Sequence, residues 1–172
     1  MGRVRHVVAP GLARRERGAA MVELALVLLP LMAMMMAIVD FSLPIFLRST
    51  FTAAVREGCR YGITYNLTYN GTTYTSQTAA ITAVVQGNSM GFLAGSTGAS
   101  LIHVNYYSPV SPFGQVTGTG ANTAGNIVEV TVQGFTWVSI APIWRTNTPL
   151  SISAISADRL ESLPAGQALP AS

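Results

Sequence analysis

From Leu24 to Val39 the chain has no charged residue and a single proline, Pro30. Ala19 to Glu23 in front and Asp40 to Leu47 behind extend this into a long apolar segment with one carboxylate near each end. A bilayer core of about 30 Å is crossed by roughly 20 mostly apolar residues in a helix. Ala19 to Val39 is about that long, and a chain that carries such a stretch is first of all a candidate for a membrane. Three further readings compete with simple membrane integration. A buried core helix requires an enclosing apolar partner, and nothing else in the chain is large and apolar enough. A secretory signal peptide cut near Ala33 or Ala37 fits the basic front and the small residues, but the apolar run continues past both alanines. A plain uncleaved anchor is the third.

The flanks set the orientation. Arg3, Arg5, Arg14, Arg15 and Arg17 precede the segment and are opposed only by Glu16. Basic residues stay on the cytoplasmic side, so the N-terminus is expected in the cytoplasm and everything beyond about Leu47 outside. All 10 basic residues are Arg, and the formal charge of +3 is concentrated in this leader. The remainder is close to neutral, which leaves no basic stripe to follow phosphates and argues against a nucleic-acid partner. A mean hydropathy of +0.41 with 10% charged residues is unlike an ordinary soluble surface.

Glu23 is the anomaly in the segment. A carboxylate near the start of a membrane helix either sits at the interface, where the helix dipole favours it, or finds a partner. Its neighbours allow the second reading. The run Arg17-Gly18-Ala19-Ala20-Met21-Val22-Glu23-Leu24 resembles a type IV prepilin processing site, in which a short basic leader ends in Gly and Glu is fifth in the mature chain. Cutting after Gly18 would make Ala19 the first residue and Glu23 the fifth. The resemblance implies a charge pair: the new α-amino group, stranded among apolar helices, needs a carboxylate from its own or a neighbouring subunit.

More specifically, Arg14 to about Ile63 is similar to the TadE-like family of tight-adherence (Tad) pilus proteins. The residues that carry this are Arg15-Glu16-Arg17-Gly18-Ala19-Ala20-Met21-Val22-Glu23-Leu24-Ala25-Leu26-Val27, then Pro30, Asp40-Phe41, and Ala53-Ala54-Val55-Arg56-Glu57-Gly58-Cys59-Arg60-Tyr61-Gly62. The position after the key acid, aromatic in many relatives, is Leu24. The resemblance implies a pilin-like component in the bacterial inner membrane, cut by a prepilin peptidase. Its other partners would be pilin-like subunits and the inner-membrane assembly platform. The alternative is an uncleaved single-pass envelope protein whose exterior domain binds a partner.

The expected organisation is a basic leader over 1–18, disordered or removed, a transmembrane helix over 19–47, and an exterior α+β domain over 48–172. Pro30 and Pro44 each remove a helical hydrogen bond and favour a kink, which membrane helices tolerate. Leu47, Phe51, Val55 and Gly58 recur at three- and four-residue steps, so the helix is expected to continue amphipathically to a stop near Gly62. Asn70-Gly71 signals a tight turn. The glycosylation pattern at Asn66-Leu67-Thr68 and Asn70-Gly71-Thr72 is short enough to arise by chance. Ala80, Ile81, Val84 and Val85 predict a second short helix over 77–86.

Strands are expected at 101–107, with Ile102, Val104 and Tyr106 inward, at 127–133, with Val128, Val130 and Val132 on one face and Glu129 and Thr131 on the other, and at 150–157. Phe135 to Trp144 reads as an extension of the second strand before a turn at Pro142. Residues 91–100 and 108–125 read as loops, and Leu163 onward, with Pro164 and Pro170, as a frayed tail. Together these make a small, mainly antiparallel sheet against the helix.

Little points to catalysis. His6 and His103 share no metal spacing, no Ser-His-acid set or phosphate loop is present, and Asp40, Glu57, Glu129, Asp158 and Glu161 are scattered. The single cysteine, Cys59, excludes an internal disulfide and a Cys-rich zinc site, and reads as a small buried residue on a helix face. The methionines of Met32 to Met36 read as soft packing surface. No cofactor is expected. Tyr106, Tyr107, Trp137 and Trp144 offer either a recognition patch or, as aromatic residues on strands do more often, core.

Overall fold

The computed structural model describes residues 10–140, 149–163 and 167–172, with side chains from Gly18 onward. The architecture is α+β, and the chain forms two compact units, Met1–Phe41 and Ser42–Ser172. Helix α1 runs from Pro10 to Ile63 without interruption, through both Pro30 and Pro44. It begins inside the basic leader rather than at Ala19. Pro10 is suited to a first helical position, and the Ala-Arg-Arg-Glu-Arg run that follows consists of strong helix formers. In the first unit the apolar stretch is uncovered, with none of its most apolar window buried.

In the second unit the amphipathic continuation of α1 is the backbone of the core. Leu47, Phe51, Ala54, Val55 and Cys59 are buried along one face, as the spacing predicts, and Arg48, Arg56, Glu57 and Arg60 are exposed. Past Ile63 the chain reverses through Tyr65, at φ 55°. Strands β1 (Thr68–Tyr69) and β2 (Thr72–Thr73) form a hairpin around Asn70 and Gly71, with φ of 50° and 77°. Two successive positive φ angles are what a two-residue primed turn demands, and Asn-Gly supplies them at least steric cost.

Helix α2 (Gln77–Gly87) falls where the apolar spacing places it. Ser76 caps it: its side-chain oxygen accepts from the Ala79 N–H at 3.2 Å. Ala80, Ile81, Val84 and Val85 are buried, and Ile81 and Val85 join the core formed with α1 and the sheet. The 91–100 stretch, expected as loop, contains a short helix, α3 (Gly95–Ala99). Its small residues carry no periodic apolar signal, so the pattern gave no warning.

The main sheet has strands β3 (Ile102–Tyr107), β4 (Gln115–Val116), β5 (Ile127–Trp137) and β6 (Leu150–Arg159) in the spatial order β4-β3-β5-β6. All neighbours are antiparallel, with Val104 opposite Val130 and Val132 opposite Ala154. Val128, Val130 and Val132 face α1 and are fully buried. Thr131 lies on the opposite face with Glu129, as expected, yet is only 3% exposed, flanked in register by His103 and Ile155. A register shift between Val132 and Phe135, with Gly134 at φ 79°, marks a bulge that lets Phe135 reach Phe51, ring to ring at 4.9 Å. The extension of β5 past 133 is present as far as Trp137; the turn expected at Pro142 lies outside the described residues. The 108–125 loop differs from expectation in contributing β4.

The final residues are not a free tail. The Gln77 N–H donates to the Ala171 carbonyl at 2.8 Å, and Asn122 Nδ2 donates to the Pro170 carbonyl at 3.0 Å. The tail supplies an acceptor to an N–H at the start of α2, a terminus that otherwise leaves donors unpaired. Pro164 lies outside the described residues.

Candidate functional site

Gly18, Ala19 and Glu23 sit in the interior of α1, and all three are exposed. The side chains around Glu23 are apolar and open on every side of the helix, from Met21 and Val22 to Leu24 and Leu26. Among the described residues Glu23 makes no hydrogen bond and no ion pair. It is therefore a lone carboxylate on an apolar rod, the arrangement that in lipid demands either an interfacial position or a partner from another chain. Arg14, Arg15 and Arg17 lie on the same helix, and their side chains fall outside the described residues.

The glycines of α1 divide into two kinds. A Cβ built on Gly18 meets nothing within 4 Å. Glycine in a helix interior costs roughly 0.5–1 kcal/mol relative to alanine, so the fold alone gives no reason for Gly at that position. Gly58 and Gly62 are different. A Cβ on Gly58 would lie 2.5 Å from Val85 Cγ2, and one on Gly62 would lie 2.8 Å from Ile81 Cδ1. These two hold α2 close against α1. The sequence pattern placed Gly58 on the apolar face but did not reveal that its missing side chain is what admits α2.

A buried polar cluster, not foreseen from the sequence, closes the end of the second unit. Gln77 and Asn122 are both fully buried. Gln77 Nε2 donates to the Gly62 carbonyl at 2.5 Å, and Asn122 Nδ2 donates to Gln77 Oε1 at 2.6 Å. The Tyr65 hydroxyl donates to the Asn122 carbonyl at 3.1 Å and also contacts the Glu161 carbonyl at 3.2 Å. Burial raises the pKa of the Tyr65 and Tyr106 hydroxyls above their ordinary value. The cluster joins α1, α2, the loop before β5 and the C-terminal residues. Asn122 Oδ1 is buried there without a hydrogen-bond partner among the described residues, and the remaining amide groups are engaged in structural bonds.

The other residues singled out from the sequence are dispersed. Cys59 is buried, with Sγ donating to the Ser156 carbonyl at 3.1 Å, which agrees with a packing role. Tyr106 is buried and Trp137 packs against the core, so both belong to it rather than to a surface patch. His103 is exposed on the outer sheet face; His6 and Trp144 lie outside the described residues. Among the described residues no three His, Cys, Asp or Glu side chains come together as metal ligands. A cleft of about 650 Å³ beside α1 and β6 is lined by Arg48, Thr52, Thr131, Gln133, Ser151 and Ser153. Its one ionisable side chain is Arg48.

These features define a class: an α+β protein whose N-terminal helix is long and apolar enough to cross a membrane and continues into the core of a small helix-and-sheet unit. Residues 18–60 match the family model described as TadE-like protein, the family that the sequence resembles. The match begins at Gly18 and ends at Arg60, just after Cys59 on the buried face of α1. No curated protein and no solved structure matches the chain.

Proposed function

We propose that this protein is a pilin-like component of Tad-type pilus assembly, of the pseudopilin or minor-pilin kind. It is held in the bacterial inner membrane by α1, with the N-terminus cytoplasmic, and is processed by a prepilin peptidase between Gly18 and Ala19. In this reading residues 1–18 are the leader, with Arg14, Arg15 and Arg17 fixing topology, 19–47 the membrane helix, and 48–172 the exterior domain. It is no enzyme and needs no cofactor; it works by helix-to-helix assembly with other pilin-like subunits on the inner-membrane platform. The observation that carries the reading is the family match starting at Gly18, on a helix whose most apolar window is unburied among the described residues. A Cβ on Gly18 meets nothing within 4 Å among the described residues, so packing leaves that bond accessible to a peptidase.

The second reading is an uncleaved single-pass anchor with a partner-binding exterior domain, which the same helix allows. Mass spectrometry of the protein recovered from membranes separates the two. A mature chain starting at Ala19, absent from a strain lacking prepilin peptidase, is the expected result. A chain that keeps its leader in the presence of the peptidase, or one cut at Ala19 without it, overturns the processing assignment.

A further inference from the structure

One end of the second unit presents several large exposed apolar side chains. In the loop after α2, Ser89 and Leu93 point inward and are fully buried, whereas Met90 and Phe92 point outward at 71% and 43% exposure. This loop is held in place. Ser89 Oγ donates to the Gln86 carbonyl at 2.7 Å and accepts from the Leu93 N–H at 3.2 Å, and Gln86 Nε2 donates to the carbonyls of Leu93 and Gly95 at 2.7 and 2.8 Å. Met90 has a φ of 54°, a left-handed conformation rare for a side chain of its size. A fixed loop thus presents two large apolar side chains to the outside.

The same end carries more. Phe92 meets Phe46 of α1 edge to face at 6.4 Å. On the other side of α1, Pro44, Ile45 and Arg48 share a cavity with Leu150 and Ile152 of β6. Trp137 pairs with Leu150, and Val138 follows at the strand end. Ile45, Val138 and Leu150 are all at least half exposed. No charged residue occurs between Gly87 and Ser100, between Val130 and Ile140, or between Leu150 and Ala157. Among the described residues the nearest cation is Arg48, which lines that cavity together with Ser151 and Ser153, and a long arginine beside an apolar surface reaches toward headgroups. The exposed Val110 and Phe113 belong to the opposite end of β3 and take no part.

What covers this end follows from where it lies on α1. A membrane core entered just after Glu23 is crossed in about 20 residues at roughly 1.5 Å each, which places its far edge near Leu43. Pro44, Ile45 and Phe46, the residues that Leu150 and Phe92 approach, are the next turn. We propose that this end of the exterior unit is seated in the lipid leaflet through which α1 emerges, with Met90, Phe92, Val138 and Leu150 among the acyl chains and headgroups. The proposal rests on the membrane-spanning reading of α1. Its consequence is that the exterior unit stays at the bilayer surface while the protein waits in the membrane, and that removing the protein into a fibre exposes or re-covers this apolar end.

The test uses the full chain in vesicles of phosphatidylethanolamine and phosphatidylglycerol at about 3:1. A single cysteine at Met90, Leu150, Asn70 or Met35 is labelled with an environment-sensitive fluorophore, native Cys59 being buried. Met35 reports the membrane helix, and Asn70, at the hairpin beyond the far end of α1, reports water. Expected is quenching of the Met90 and Leu150 probes by lipids bearing a nitroxide near the headgroup, at least about twofold above Asn70. A wet, unquenched Met35 probe would remove the membrane reading itself. A quenched Met35 with Met90 and Leu150 as wet as Asn70 would overturn the seating alone. Shielding of Met90 and Leu150 without lipid quenching, appearing only at high protein density, would assign the surface to a second copy and likewise overturn it. If Met90→Cys fails to fold, judged by circular dichroism, Val138→Cys takes its place.

Discussion

A Cβ on Gly58 would sit 2.5 Å from Val85 Cγ2, so α1 and α2 meet backbone against side chain at that point. Gly58→Ala is therefore expected to destabilise the exterior unit by about 1–3 kcal/mol through overpacking, even though alanine is the better helix former. Val85→Ala in the same chain makes room, and the double variant should recover part of the loss, a non-additivity that denaturant titration of the four proteins reads directly. Equal losses in the presence and absence of Val85 would show that the contact is not what Gly58 protects. Gly18→Ala, which meets nothing and lies in the other unit, should leave unfolding of the exterior unit unchanged.

Gln77 replaced by Met keeps bulk but removes both ends of the amide. The Gly62 carbonyl and Asn122 Nδ2 each lose a partner at 2.5 and 2.6 Å. The Gly62 carbonyl keeps the Tyr65 N–H and Asn122 Nδ2 keeps the Pro170 carbonyl, so each is weakened rather than orphaned, and a loss of about 1–2 kcal/mol, the net worth of one or two hydrogen bonds, is expected. Because the cluster also holds Asn122, which bonds the Pro170 carbonyl, hydrogen exchange and proteolysis should quicken at residues 167–172 before the sheet is affected. Unchanged protection of those residues would count against the cluster as their anchor.

The tyrosines give a pH dependence with a definite sign. Burial raises the Tyr106 and Tyr65 pKa values above their ordinary value of about 10. Below that pH both folded and unfolded chains keep these protons, and the two groups add no slope. Above it the unfolded chain releases protons that the folded chain retains, so stability falls as pH rises through the folded pKa. Tyr106→Phe should flatten its share of the decline. Absorbance titration of the phenolate against unfolding curves at matched pH values measures both effects; a slope that Tyr106→Phe leaves untouched would assign the decline to other groups.

Glu23→Gln isolates charge at the one carboxylate on the exposed apolar rod. Before assembly the carboxylate and, after processing, the Ala19 amino group can both remain wet at the interface. In a closed helix bundle neither reaches water, and an unpaired buried charge costs several kcal/mol. Membrane levels and cleavage are expected to be normal, with loss of co-purifying pilin-like subunits or of surface pili. Full assembly with Gln at this position would leave Glu23 as a helix-start residue and favour the uncleaved-anchor reading.

Much of this protein is written in one-dimensional patterns. An uninterrupted apolar run, a basic leader and a Gly…Glu spacing identify the helix and its resemblance. Period-two alternation gives Val128, Val130 and Val132 their common face, and three- and four-residue steps do the same for Leu47, Phe51 and Val55, because in each case burial follows from local geometry. Asn70-Gly71 fixes a turn through its own backbone preferences. Other features depended on residues far apart in the chain. Nothing near Gly58 says that Val85 will press on it. Nothing in Gln77 says that Gly62, Asn122 and Ala171 will converge there to satisfy its polar groups. Pro170 and Ala171 look like a tail until α2 offers an unpaired N–H. Met90 and Phe92 are two apolar residues in a polar loop until the fold turns them outward beside Phe46 and at the same end as Leu150. The sequence by itself determined the longer elements, α1, α2, β3, β5 and β6, and which face of each is apolar, since those follow from periodicity and short-range sterics, whereas α3 and β4 carry no such pattern. Only the tertiary structure decided which faces meet, which glycines are indispensable and which apolar side chains stay uncovered, because these depend on distances between segments that no local pattern encodes.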